Sequence, residues 1–142
     1  MNLRWIALYE GEYTAETLPE YNPKGYVHEL LECQRYYIRY SADGSNLQLA
    51  IGSSNHSTVY APFTLPVTMR ATPTLSYNNV NLYPYSAGAK VEISSLSIEV
   101  AASSNNAVSL KAVLITGGDI EQKAPACIRI VSGGYIAFSA DL

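Results

Sequence analysis

Apolar residues in this chain recur mainly at every second position, in short runs broken by turn-forming residues. That period puts side chains alternately on two faces and predicts strands. One segment differs. "YVHELLEC" sets Val27, Leu30 and Leu31 on one side of a helix of one or two turns, too short to be stable unless it packs on something. It runs into "RYYIRY", where Tyr36, Tyr37, Ile38 and Tyr40 favour an extended chain. "SADGSN" predicts a hairpin turn into "LQLAIG", where Leu47, Leu49 and Ile51 form one buried face.

"SSNHS" is the next loop, and the three prolines at 62, 66 and 73 belong at strand ends or edges. "NNVNLYPYSAGA" predicts a polar loop or irregular edge carrying tyrosines. In "KVEISSLSIEV" the apolar phase slips at Ser94–Ser95, which predicts a bulge or tight bend. "AVSLKAVLIT" ends apolar on both faces and predicts a central strand. "CIRIV", "SGG" and "YIAFSADL" predict a closing hairpin. The spacing of these short strands predicts an all-β fold, an antiparallel β-sandwich of jelly-roll type with one short N-terminal helix. Residues 1–24, with the Pro-containing "TAETLPEYNPKG", predict a lead-in strand and linker from a preceding domain, and residues 25–142 predict the main β domain.

The 142-residue length suits one core behind that lead-in. The net charge of −3, with no basic cluster, argues against nucleic acid. No apolar run approaches the roughly 20 residues of a membrane-spanning helix, and the five apolar positions at Trp5–Tyr9 are too few for a secretory signal. The chain is therefore expected to be made in a cytoplasm or cut from a longer protein. The two cysteines, Cys33 and Cys127, make neither a metal spacing nor a redox pair and read as buried thiols, with a disulfide left open.

Chemistry is sparse. Of the two histidines, His28 sits on the short helix as a surface residue and His56 in a polar loop, and no Ser stands in a G-x-S-x-G turn. The acidic residues are scattered, and Glu92 and Glu99 read as solvent-facing strand positions. Neither a catalytic centre nor a metal or cofactor is expected. Recognition remains. The chain holds 12 tyrosines against two Phe and one Trp, which suits half-buried strands, binding surfaces and subunit interfaces alike. Tyr77, Asn78, Asn79, Asn81, Tyr83 and Tyr85 combine rings that stack on sugars with amides that bond hydroxyls, and Asn55 and His56 could extend such a site. The same residues would also serve as a polar loop covering core edges.

Three stretches carry a family resemblance. "ELLECQRYY", "LPVTMRATPTL" and the terminal "YIAFSADL", in that order between Tyr26 and Leu142, resemble the C-terminal head domain of many bacteriophage tail fibre and receptor-binding proteins. The resemblance implies a homotrimeric β-sandwich at the distal end of a fibre in the virion. It also implies attachment to a bacterial surface saccharide or envelope protein, without catalysis or membrane insertion. It transfers no binding residue, because recognition loops differ between members. On this view Arg35, Tyr36, Tyr37 and Tyr40 lie between subunits, with ring closure protecting the edges a lone sandwich would expose.

A stand-alone carbohydrate-binding module or lectin is the competing reading, and the tip of a phage-derived injection particle would look the same at this level.

Overall fold

The structure is a computed structural model and describes residues 13, 14, 17, 24–85, 90–115, 120 and 122–140. Most of the expected lead-in, and the last two residues of "YIAFSADL", lie outside the described residues.

Helix α1 (Tyr26–Gln34) precedes seven strands: β1 (Tyr37–Ser41), β2 (Leu47–Asn55), β3 (Thr58–Thr64), β4 (Thr74–Pro84), β5 (Val91–Ile98), β6 (Ala107–Leu114) and β7 (Pro125–Ser139). A single turn of 3-10 helix follows β5. The strands form one antiparallel sheet in the order β1-β7-β2-β3-β6-β5-β4, and β4 returns to pair with β7. Six strands thus close a barrel, and β1 adds to it at β7. The all-β class with one short helix is as expected, but the sandwich is corrected to a barrel. The cause is β7, long enough to pair with β4 along one edge and with β2 and then β1 along the other.

Two expected hairpins are absent for the same reason. β1 and β2 do not pair with each other. They run in line along β7, and "SADGSN" is the bend between them, held by Ala42 N–H to Gly134 O and Gly133 N–H to Ala42 O. "CIRIVSGGYIAFS" is likewise one strand, kinked where Gly133 takes φ +78. β4 kinks at the same level through Asn79, at φ 52, so β4 and β7 bend together beside the link between β1 and β2. Gly134 is required there, since a Cβ would stand 2.6 Å from the carbonyls of Asn78 and Asn79.

The core holds Ile128, Ile130, Ile136 and Phe138 from β7 with Leu82, Val59, Leu110 and Leu114. Two patterns match the sequence. β6 alternates strictly between β3 and β5, and the β5 register slips between Ile93 and Ser95. One does not. In β2 a bulge between Gln48 and Ala50 shifts the phase, so Ala50 and Ser54 face inward while Leu47 and Ile51 are exposed. Pro62 lies within β3, paired with β6 but past the point where β2 has parted, so its missing donor falls on an open edge.

The segment between β3 and β4 covers one barrel end with buried Leu65 and Met69. It is held by Leu65 N–H to Asn106 O and Met69 N–H to Asn105 O. α1 meets this end only at its C-terminus. None of its residues is buried, and Val27, Leu30 and Leu31 are exposed although they share one side.

Candidate functional site

The second half of β4 and the first half of β7 alternate cleanly. Leu82 and Pro84 of β4, with Ala126, Ile128 and Ile130 of β7, face the core. Asn81, Tyr83, Cys127 and Arg129 therefore face outward. The register sets Arg129 between Asn81 and Gln48, and Cys127 between Tyr83 and Ile51. Arg129 Nε donates to Asn81 Oδ1 at 3.2 Å, and the guanidinium lies over the Tyr83 ring at 4.9 Å. Tyr83 meets Tyr85 edge to face at 6.0 Å, and the Tyr85 hydroxyl donates to Gln48 Oε1 at 3.3 Å. Asn81 is only 4% exposed, whereas Tyr85 is 46% exposed. The result is a fixed ring, amide and guanidinium surface on the barrel wall.

Beside it the β2 bulge and the parting of β2 from β3 leave a depression of about 360 Å³, lined by Gln48, Leu49, Ala50, Ile51, Pro62 and Cys127. Burial pushes the Cys127 thiol above its usual pKa, against smaller opposing effects of the Leu49 backbone and Arg129. Cys127 is thus a protonated, apolar floor. Cys33, expected to be buried, is exposed on α1, and both thiols are free.

The arginines stack on tyrosines, and Lys111 does so too, over the Tyr60 ring at 5.6 Å, while paired with Glu99. Arg39 lies over Tyr135 at 4.3 Å and Arg70 over Tyr36 at 5.7 Å, as Arg129 does over Tyr83. Among the described residues the ion pairs belong to lysines: Lys24–Glu32, Lys90–Glu92 and Lys111–Glu99. Glu99 is half-buried in its pair, not simply solvent-facing.

The residues expected to form one binding loop are divided. "NNVNLYP" is strand, not loop. Asn81, Tyr83 and Tyr85 come together on the wall. Tyr77 instead accepts the Leu96 N–H at 3.1 Å, bridging β4 and β5 where their two-pair contact ends. Asn78 is exposed at the kink, and Asn79 donates to Ser132 O at 3.1 Å. Asn55 and His56 belong to the tight β2–β3 turn, with His56 at φ 51. Of the expected interface residues, Arg35, Tyr36 and Tyr37 are exposed. Tyr40 instead turns inward, packing edge to face on Phe63 at 5.5 Å and Phe138 at 6.4 Å.

Gln48 and Arg129 were missed. The alternation of "CIRIV" sets Arg129 opposite two isoleucines and so marks it as outward, but only the β4–β7 pairing brings it beside Asn81 and Tyr83. Among the described residues there is no group of three or more His, Cys, Asp or Glu placed to hold a metal, and no helix is long and apolar enough to cross a membrane.

No family model matches the chain, and no curated protein matches it. Among solved structures, the tailspike gp61 of Pseudomonas phage phi297 matches with a TM-score of 0.37 and 16% identity, over 75% of this chain. The match spans 16% of the tailspike's own length, and a likeness of this degree fixes neither fold nor role.

Proposed function

We propose that this chain is the receptor-binding tip of a phage tail fibre, or of a phage-derived particle, and attaches it to a saccharide on a bacterial surface without catalysing a reaction. The observation that carries the binding part is the wall surface of Tyr83, Tyr85, Asn81, Arg129 and Gln48, whose rings and polar groups are already held in place before any ligand arrives. Such preorganisation lowers the entropy lost on binding. The viral setting rests on the resemblance of the three quoted stretches.

The fibre-tip reading also calls for a homotrimer. The exposed apolar side of α1 supports it: nine residues of helix are too few to persist alone, and the barrel does not cover them. Edge protection is a weaker reason, since the barrel closes on itself and leaves unpaired edge at β1 and where β2 parts from β3. That self-closure favours the second reading, a stand-alone carbohydrate-binding module. Light scattering on a sizing column separates them. A stable trimer is expected; a monomer would remove the fibre-tip reading and leave the module.

A further inference from the structure

We infer that the saccharide recognised at the wall is acidic, and that Arg129 reads its carboxylate. This inference rests on the saccharide reading above and narrows it to a substrate class.

Lys24, Lys90 and Lys111 are each paired with a glutamate. Arg129, like Arg39 and Arg70, has no carboxylate partner among the described residues; what sets it apart is its place on the wall between Asn81 and Gln48, with Tyr83 beneath it. Its Nε is committed to Asn81 Oδ1. The two terminal amino groups make no hydrogen bond among the described residues. A half-buried guanidinium held at one edge and over one ring keeps full positive charge and a fixed donor fork. That fork matches the two oxygens of a planar carboxylate, and a charge-assisted pair of this kind is stronger than a neutral hydrogen bond.

The surroundings fit a sugar around that charge. Tyr85 is exposed and stands beside Tyr83, offering ring surface, and Gln48 in the next register position offers an amide. Glu92, the other neighbour of Asn81 in register, is paired with Lys90 at 3.1 Å, which tempers its repulsion of an incoming anion. A neutral saccharide would use the rings and amides but would leave the guanidinium without a counter-charge.

The test uses the full chain and a panel of purified bacterial capsular and O-antigen polysaccharides: neutral, phosphate-bearing, and uronate- or sialate-bearing. Each carboxylated member is accompanied by its carboxyl-reduced form. Binding to at least one carboxylated polysaccharide is expected, with loss on carboxyl reduction. Arg129→Lys, which keeps the charge but not the fork, is expected to weaken that binding by about tenfold or more with an unchanged melting midpoint. Arg39→Lys, a change to the arginine stacked on Tyr135 of β7, is expected to leave it unchanged. Binding confined to neutral or phosphate-bearing polysaccharides, or indifferent to carboxyl reduction, overturns the inference and leaves the saccharide reading standing. Carboxylate-dependent binding that Arg129→Lys does not weaken overturns the assigned residue. Binding to no polysaccharide overturns the inference together with the saccharide reading.

Discussion

Arg70 donates its backbone N–H to the carbonyl oxygen of Arg35 across 2.8 Å, and Ala140 donates to the carbonyl of the next residue, Tyr36, across 2.8 Å. These two bonds bring together the three stretches that carry the family resemblance. Their meeting gives "ELLECQRYYIRY" a physical reason to change period: the helix must stop where Arg35 and Tyr36 offer carbonyls to two other segments, and the strand starts at Tyr37.

Met69 seals that end of the barrel at 1% exposure. Met69→Ala is expected to cost about 2–5 kcal/mol of folding stability, because the cavity has little room to collapse. Urea unfolding would measure it, and a loss well under 1 kcal/mol would mean that this end is loosely packed.

Gly52 lies where a Cβ would collide with the backbone of Tyr60. Gly52→Ala is therefore expected to push β2 from β3 and to destabilise by about 1–3 kcal/mol. An unchanged thermal midpoint would show that the two strands are free to separate.

Cys127 and Tyr40 both have pKa values raised by burial above their usual 9.0 and 10.0. Their neutral forms favour the folded state. The stability they contribute is complete below the usual values and is lost as pH rises through the raised ones. In a Cys33→Ser background, Cys127 is expected to react with a thiol reagent only on unfolding, and the melting midpoint to fall in strongly alkaline solution. Rapid labelling of the native protein would contradict the burial.

Tyr85 both shows its ring to solvent and anchors Gln48. Tyr85→Ala is expected to weaken saccharide binding by about 1–3 kcal/mol, a typical loss for an interface aromatic, with little change in stability. Equal affinity in calorimetry would move the site off this wall.

Leu30 and Leu31 stand exposed at 41% and 45% on the uncovered side of α1. Replacing both by Glu is expected to convert the proposed trimer to monomers without unfolding the barrel, and Tyr37→Ala to weaken assembly. An oligomer of unaltered mass in light scattering would place the subunit contact elsewhere.

How much of this was legible in the sequence varied with the range of the interaction. Period-two patterning identified most of the strands and the slip at Ser94–Ser95, because side-chain alternation is a local property of the backbone, and the two-sided apolar end of "AVSLKAVLIT" pointed to the place of β6 between two neighbours, although its burial alternates strictly. Turn composition misled where it marked a bend inside a strand. "SADGSN" and "SGG" have turn chemistry, yet whether a chain folds back or continues depends on which edge lies beside it, and here β7 lies beside both halves. The aromatic and amide content of residues 77–85 was also visible in advance, but not its division: a bulge at Asn79 reverses the facing of every residue after it. Arg129 and Asn81 are 48 positions apart and meet only through strand pairing. The sequence by itself determined a β-rich chain with one short apolar-sided helix and a run of tyrosines and asparagines at residues 77–85. Only the tertiary structure decided that the sheet closes into a barrel, that α1 stays uncovered, and which tyrosines share a surface with an arginine. Closure and adjacency depend on long-range register, which no local pattern encodes.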